Sequence, residues 1–164
     1  MSKKLGRGHK APDFDLPDDR QKLRTLKSYA GKKLVLYFYP KDDTSGCTRE
    51  AVDFSALKPE FDKIGTAILG ISPDSPESHG KFKGKHRLTI DLASDAGKAV
   101  LEAYGVWAEK SLYGRKFMGV VRTTFLIGAD GKIAEIWPKV RVPGHAEAVL
   151  AAARALKSQG LGEY

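Results

Sequence analysis

Residues 33–54 read KLVLYFYPKDDTSGCTREAVDF, a stretch that passes from an apolar run through a polar turn into amphipathic sequence. The run KLVLYFYP predicts a strand buried on both faces, because its apolar residues are nearly continuous. From Cys47 to about Ile64 the apolar residues recur at helical spacing, which predicts a helix that Pro59 bends or divides. Cys47, the only cysteine in 164 residues, therefore falls in the first turn of a helix.

Strand and helix patterns alternate along the rest of the chain. The predicted elements are a hairpin in FDLPDDRQKLRTL (14–26), a strand in TAILGISPD (66–74), a helix that starts at Ser75 and Pro76 and runs towards His86, a helix that Ser94 caps and that ends near Gly105, a hairpin in VVRTTFLIGADGKIAEIWP (120–138), and a helix over about Gly144 to Ser158. Capping residues mark the helix starts, and turn residues between β-rich runs mark the hairpins. This order predicts an α/β fold with a mixed central sheet flanked by helices.

The length and composition are typical of one globular domain, with 41% hydrophobic and 29% charged residues. We expect a basic, flexible tail over residues 1–10 and a single domain over residues 11–164. Four residues of the tail (Lys3, Lys4, Arg7 and Lys10) supply half of the formal net charge of +8. The other charges are mixed and no aromatic-basic recognition motif occurs, so nucleic-acid binding is not expected.

Several kinds of site and location are excluded by simple counts. No apolar run approaches the roughly 20 residues of a membrane span, and no apolar segment follows the charged start MSKKLGRGHK. One cysteine cannot close an internal disulfide, so a reducing cytoplasm is the expected location. The four histidines lack metal-ligand spacing, and neither a metal nor a cofactor is expected. His79 and His145 are expected to be exposed on helices.

The position of Cys47 predicts a reactive sulfur. Backbone N–H groups in the first turn of a helix lack intrahelical partners, and together with the helix dipole they favour a thiolate over a thiol. Thr44 precedes the cysteine by three residues, so its hydroxyl can reach the sulfur or a molecule bound there. With Pro40, the spacing is P-x3-T-x2-C.

Arg122 stands within the predicted strand VVRTTFLI, where a guanidinium is costly to bury without an anion. A thiolate would supply that anion. Spacing alone favours the ordinary alternatives, in which Arg122 lies on a solvated face or pairs with a carboxylate.

The segments YPKDDTSGCTREAVDF and VVRTTFLIGADGKI closely resemble the peroxiredoxins, especially the bacterioferritin comigratory protein or PrxQ type. The resemblance covers about residues 10–158 and includes ISPDSPESHGKF, LASD and AYGVW. It implies a thioredoxin-like fold with an N-terminal extension and a thiol-dependent peroxidase activity. Carried over, Cys47 is the peroxidatic cysteine, and Pro40, Thr44 and Arg122 complete the active-site set.

Three further residues are candidates for supporting roles. Glu50 matches a common family position and either orients an arginine or is a plain first-turn acidic residue. Arg49 is either a second cation near the pocket or, as we prefer, a solvated surface residue. Trp107 either packs near the end of the sheet or contacts the substrate.

The chain departs from the family in its lack of a resolving cysteine. Many members carry one five residues after the peroxidatic cysteine, where this chain has Val52, and others carry it in the segment ESHGKFKGKH, which has none. The expected cycle is therefore the 1-Cys form, in which peroxide oxidises Cys47 to a sulfenic acid and an external thiol restores it. Thioredoxin, glutaredoxin or a small thiol could serve, and the resemblance implies a monomer or a weak homodimer.

Other cysteine chemistries lack their signatures. A thiol–disulfide oxidoreductase needs C-x-x-C, but position 50 is Glu, and a cysteine phosphatase needs arginine where Asp53 stands. A cysteine hydrolase needs a histidine partner, for which no local motif occurs. The alternative from another class is a non-catalytic thioredoxin-fold redox sensor or chaperone-like binding protein.

Overall fold

The computed structural model describes residues 5–156, whose core is a five-stranded sheet with helices packed on both faces. The strands are β1 (Asp15–Pro17), β2 (Leu23–Thr25), β3 (Lys33–Phe38), β4 (Thr66–Ser72), β5 (Asp91–Ser94), β6 (Trp107–Leu112), β7 (Arg115–Val120), β8 (Thr123–Ile127) and β9 (Ile133–Trp137). The helices are α1 (Ser45–Lys63), α2 (Pro76–His86), α3 (Ala99–Ala103) and α4 (His145–Ala155), with a short 3₁₀ turn at Leu26–Tyr29.

The central sheet has the strand order β5-β4-β3-β8-β9. Strand β3 lies in the middle, parallel to β4 and antiparallel to β8, while β5 and β9 form the edges. All six residues of β3 are buried, as the apolar run predicts. This mixed sheet confirms the expected fold class.

Alternate residues of β3 point into two separate hydrophobic clusters. Leu34, Leu36 and Phe38 face a cluster completed by the N-terminal hairpin and α3. Val35 and Tyr37, with Tyr39 directly after the strand, face a second cluster, to which α1, α2 and α4 contribute. Cys47 belongs to this second cluster.

Pro59 does not divide α1, which is one helix of 19 residues. A proline removes the hydrogen bond that the carbonyl four residues earlier would accept, here the carbonyl of Ser55. The hydroxyl of Thr89 donates to that oxygen at 3.4 Å, and the Thr89 N–H donates to Ser55 Oγ at 3.1 Å. These contacts outside the helix partly replace the missing bond.

The predicted helix cap at Ser94 is wrong. Ser94 is the last residue of β5, and α3 begins only at Ala99, after Lys98 in a left-handed conformation. The next residue, Asp95, does the capping instead, since its carboxylate accepts from the N–H of Leu101 at 2.7 Å. A carboxylate four residues before the helix takes the place of an N-cap serine.

The hairpin of β6 and β7 was not among the predicted elements. Its two strands pair from Trp107 opposite Val120 to Leu112 opposite Arg115. Tyr113 and Gly114 form the turn, and both have positive φ, as a two-residue turn of type I′ requires. The sequence signal was weak because Tyr, rather than the usual Asn or Asp, precedes the glycine.

Part of the N-terminal segment is bound to the sheet. A flexible tail is expected over residues 1–10, but the N–H of Gly8 donates to Ile133 O at 2.8 Å and the N–H of Ile133 donates to His9 O at 2.9 Å. Leu5 packs against the first hydrophobic cluster. The rest of the expected tail, and the end of the last predicted helix beyond Leu156, lie outside the described residues.

Within residues 5–156, none of the helices combines the length and the apolar character that a membrane crossing needs.

Candidate active site

The antiparallel pairing of β3 and β8 brings Cys47 and Arg122 to the same end of the sheet. Phe38, the last residue of β3, lies opposite Thr123, the first residue of β8. The chain after Phe38 leads into α1, and the residue before Thr123 is Arg122. Arg122 therefore lies just outside the strand in which the sequence placed it, and 75 positions of sequence separate two neighbours in space.

The guanidinium of Arg122 binds two groups at once. Its Nη2 donates to Cys47 Sγ at 3.3 Å, and its Nη1 donates to Glu50 Oε1 at 2.7 Å. The side chain of Arg122 is 18% exposed, and that of Glu50 is 1% exposed. Arg122 thus pairs both with a carboxylate, as spacing alone favoured, and with the sulfur.

Cys47 is the third residue of α1 and is 1% exposed. The first intrahelical bond runs from the N–H of Thr48 to Thr44 O at 2.8 Å, so the N–H groups of the three residues before Thr48 have no partner within the helix. Gly46 leaves room for the arginine, because a Cβ there would lie 3.3 Å from Arg122 Nη2. The sulfur is therefore buried between a helix N-terminus and a guanidinium, and both stabilise negative charge.

Glu50 lies one helical turn after Cys47 and reaches the same arginine. Burial raises the pKa of Glu50 to about 7, although the charge and hydrogen bond of Arg122 act in the opposite direction. Its second oxygen, Oε2, has no hydrogen-bond partner among the residues that the structure describes, and neither has the hydroxyl of Tyr37. Burial, followed by the charge of Glu50, holds the pKa of Tyr37 well above its usual value.

His145 was expected on an exposed helix face, and this expectation is wrong. The ring is buried at the start of α4, where Nε2 and Thr124 Oγ1 are hydrogen-bonded at 2.8 Å. Burial, with a smaller contribution from the charge of Arg122, lowers the pKa of His145 to about 4. The ring is therefore neutral near pH 7 and adds no positive charge beside Arg122.

His79 was also expected to be exposed, but its ring is fully buried behind the loop that leads to Cys47. Nδ1 lies 2.8 Å from Asp42 Oδ2, and Nε2 lies 3.0 Å from Ala93 O. The Tyr39 hydroxyl donates to the other Asp42 oxygen at 2.6 Å. This network joins the loop to α2, and no local motif in the sequence signals it.

Thr44 and Pro40 lie in the loop between β3 and α1. Thr44 is the exposed N-cap residue of α1, and its hydroxyl donates to Lys41 O at 2.9 Å. This bond uses the hydroxyl proton, so the oxygen is left as an acceptor. Pro40 is half-buried and follows directly after the buried Tyr39.

Arg49 and Trp107 lie apart from the Cys47–Arg122 pair. Arg49 is exposed on α1 and pairs with Asp53 across one helical turn at 3.3 Å, which agrees with the preferred interpretation as a surface residue. Trp107 packs against the first hydrophobic cluster, whereas Cys47 belongs to the second. The Lys98 ammonium lies 5.6 Å from the centre of the Trp107 ring.

A buried sulfur held against a guanidinium favours chemistry in which a thiolate attacks an electrophile and charge develops on a leaving group. The chain has no second cysteine, so an oxidised sulfur cannot pass to an internal disulfide. Any disulfide formed by Cys47 must involve another molecule.

Comparison with known proteins agrees with this geometry. The AhpC/TSA family model matches residues 7–136. Peroxiredoxin Bcp of Xanthomonas campestris is 48% identical over 151 residues, which cover 91% of this chain and 94% of that protein. A putative peroxiredoxin Bcp of Coxiella burnetii is 48% identical over 143 residues, 87% of this chain and 95% of that protein.

A solved structure of the Xanthomonas campestris bacterioferritin comigratory protein, studied for alkyl peroxide reduction, is similar with a TM-score of 0.83 at 46% identity. The similarity covers 87% of this chain and 90% of that one. A mutant PrxQ of Xylella fastidiosa gives a TM-score of 0.88 at 38% identity, over 94% of this chain and 98% of that one.

Proposed function

The chain belongs to the AhpC/TSA family and is a peroxiredoxin, a thiol-dependent peroxidase, and on this premise we propose that Cys47 is its peroxidatic residue. The Cys47 thiolate attacks one oxygen of a hydroperoxide, the O–O bond breaks, and a sulfenic acid forms. The departing hydroxide or alkoxide takes a proton and leaves as water or an alcohol. The sulfur is thereby oxidised and the peroxide is reduced.

Arg122 has two roles in this proposal. In the resting state it stabilises the thiolate, and in the transition state it stabilises the charge that moves onto the peroxide oxygens. At about 4 Å and an effective dielectric near 20, one such charge pair has a Coulomb energy of about 4 kcal/mol before desolvation is subtracted. Glu50 holds the arginine in place through its 2.7 Å contact.

Pro40 and Thr44 complete the pocket in the proposal. Pro40 has no N–H and its ring shields the sulfur from water. The Thr44 oxygen, with its proton donated to Lys41 O, accepts a hydrogen bond from the peroxide. Arg49 and Trp107 have no assigned role. Arg49 pairs with Asp53, and Trp107 packs against the first hydrophobic cluster, on the face of the sheet opposite to Cys47.

We propose hydrogen peroxide and organic hydroperoxides as substrates, supported by the alkyl peroxide reduction for which the Xanthomonas campestris relative was studied. The reductant is an external thiol, either thioredoxin, glutaredoxin or a small thiol. Val52 stands where many members carry the resolving cysteine. It is 40% exposed on α1, and its side chain has no thiol that could resolve the sulfenic acid. We further propose that the protein is cytoplasmic and is a monomer or a weak homodimer.

One observation carries the proposal, namely the 3.3 Å contact between Arg122 Nη2 and the buried Cys47 Sγ. It is tested by adding hydrogen peroxide to the purified protein with dithiothreitol as the thiol. The wild type should consume peroxide, and Cys47→Ser should not. Arg122→Gln should keep the fold and slow the peroxide step by about 100-fold, the usual size of losing one preorganised donor.

A wild type that consumes no peroxide with any of the three kinds of thiol would falsify the proposed site chemistry. It would favour the non-catalytic redox sensor or chaperone-like protein. An Arg122→Gln protein as fast as the wild type would remove Arg122 from the mechanism and leave Cys47 in it.

A further inference from the structure

The β6–β7 hairpin carries Lys110 and ends at Val120, two residues before Arg122. Lys110 lies opposite Phe117 in the antiparallel pair, and Ala108 lies opposite Gly119. Since side chains alternate along a strand, Lys110 and Gly119 share one face of the hairpin. A Cβ on Gly119 would lie 3.1 Å from Lys110 Cδ and 3.8 Å from its Cε. The lysine stem therefore lies across the bare backbone of Gly119, towards the end of β7 that leads into Arg122.

The electrostatics agree with this direction. Lys110 is half-buried, and burial followed by the positive charge of Arg122 lowers the pKa of its ammonium, while the charge of Cys47 opposes that shift. Arg122 is bound by Glu50 and Arg49 by Asp53. No carboxylate lies within ion-pair distance of Lys110 among residues 5–156. Lys110 is thus a positive charge without an acidic partner among the described residues, and its stem lies over Gly119, three residues before Arg122.

Oxidation of Cys47 increases the excess of positive charge near the sulfur. In the reduced protein the thiolate offsets part of the charge of Arg122 and Lys110. The sulfenic acid is neutral, so Arg122 then has only Glu50, and Lys110 has no anion. Hydrogen peroxide is uncharged and gains little from this field, whereas an anionic reactant is attracted by it.

We propose that Lys110 is a specificity-determining residue for the thiol half of the cycle, where it draws small thiols that carry a carboxylate to the sulfenic acid of Cys47. This inference rests on the proposed function. In the step concerned, the thiolate sulfur attacks the Cys47 sulfur and forms an S–S bond. The S–O bond breaks, and the departing hydroxide takes a proton and leaves as water. A second thiolate then attacks the small-thiol sulfur of the mixed disulfide. A disulfide of the two small thiols forms, the bond to Cys47 breaks, and the Cys47 thiolate is released.

The test compares three thiols of different charge on the full chain. Protein oxidised with one equivalent of hydrogen peroxide is mixed with mercaptoacetate, 2-mercaptoethanol or cysteamine, and mass spectrometry follows the mixed disulfide with time. Relative to the wild type, Lys110→Gln should react about fivefold more slowly with mercaptoacetate, a modest effect for a single charge. The rate of Lys110→Gln should be nearly unchanged with 2-mercaptoethanol and no slower with cysteamine. Lys110→Arg, which keeps the charge, should react with each of the three thiols at about the wild-type rate.

Lys116→Gln is the matched control, because Lys116 pairs with Ser111 and lies on the opposite face of the hairpin. It removes the same charge and should behave as the wild type. About 0.5 M salt should slow the wild-type reaction with mercaptoacetate relative to that with 2-mercaptoethanol, since salt screens the electrostatic attraction by Lys110.

If the reaction rate of Lys110→Gln falls by the same factor with all three thiols, Lys110 has a structural role and the proposal is overturned. Equal rates for Lys110→Gln and the wild type would also overturn it. In both cases the peroxide step still forms the sulfenic acid, so the proposed function stands. A wild type that forms no sulfenic acid would overturn both.

Discussion

Arg122 is shared between two buried groups, the Cys47 sulfur and the Glu50 carboxylate, and their negative charges compete for it. Burial raises the pKa of Glu50 to about 7, so the carboxylate gains its charge in the range where a peroxidase of this kind would work. Below that pH the Glu50 carboxyl is mainly neutral, and the charge of the guanidinium acts mainly on the sulfur. Above it, Glu50 offsets part of the positive charge. We propose that the protonation of Glu50 controls how much of the arginine's charge acts on the sulfur.

This arrangement predicts a pH dependence of stability. The pKa of Glu50 is raised in the folded state, so its contribution is present below the ordinary value of 4.5 and is lost as the pH rises through about 7. Between about pH 5 and pH 8 the free energy of unfolding should fall by about 2 kcal/mol more than in a Glu50→Gln variant. Urea unfolding of both proteins in a Cys47→Ser background measures this, because no thiol is then present beside Arg122. Parallel pH profiles would contradict the burial cost assigned to Glu50.

At the scale of elements, α4 is hydrogen-bonded to the sheet at both ends. The ammonium of Lys33 in β3 donates to Ala153 O at 2.7 Å and to Leu156 O at 3.0 Å, at the C-terminal end of the helix where carbonyls lack partners. At the other end, His145 is bound to Thr124 of β8. The helix thereby covers the second hydrophobic cluster, in which α1 and Cys47 are packed.

The His145 end of α4 should be sensitive to acid. The pKa of His145 is depressed to about 4 in the folded state, so its contribution is present above the ordinary value of 6.5 and is lost as the pH falls through about 4. Between about pH 7 and pH 4.5 the wild type should lose about 2 kcal/mol more unfolding free energy than His145→Gln. Chemical denaturation at each pH gives the comparison. His9→Gln, which removes an exposed histidine, is the control, and its unfolding free energy should depend on pH as that of the wild type does. If His145→Gln keeps the same pH dependence, the acid sensitivity belongs to another group.

On the scale of the whole molecule, the N-terminal segment covers one end of an open edge of the sheet. Strand β9 is an edge strand, and unpaired edges are sites of unwanted pairing between molecules. Gly8 and His9 form backbone hydrogen bonds to Ile133, the first residue of β9, and Arg7 pairs with Glu135 at 2.8 Å. Arg7 and Lys10, two of the basic residues expected in a flexible tail, thus lie beside the sheet.

Deletion of residues 1–10 should therefore lower the free energy of unfolding by about 2 kcal/mol, from two backbone hydrogen bonds and the packing of Leu5. A flexible tail would instead give a change within about 0.5 kcal/mol. Equilibrium unfolding in urea distinguishes the two. Gly8→Pro in the full-length chain is a matched variant, because proline removes the N–H donor and cannot adopt the φ of +84° found there.

Local patterns in the sequence determined most of the architecture. The apolar run of β3, the capping of α2 by Ser75 and the two predicted hairpins depend on neighbouring residues, and each is present in the structure. The candidate pair of Cys47 and Arg122 came from a specific spacing and a family resemblance, since spacing alone favoured ordinary surroundings for the arginine. The β6–β7 hairpin was missed because its turn residues are unusual.

What the sequence by itself determined is most of the order of strands and helices and the position of the sulfur at a helix start, because hydrophobic periodicity and capping act over a few residues. Only the tertiary structure decided the surroundings of the charged and polar groups. The pairing of Phe38 with Thr123 set Arg122 against Cys47, and the packing of α2 and α4 buried His79 and His145. Burial and charge around a side chain depend on residues that are distant in the sequence, so no local pattern can specify them.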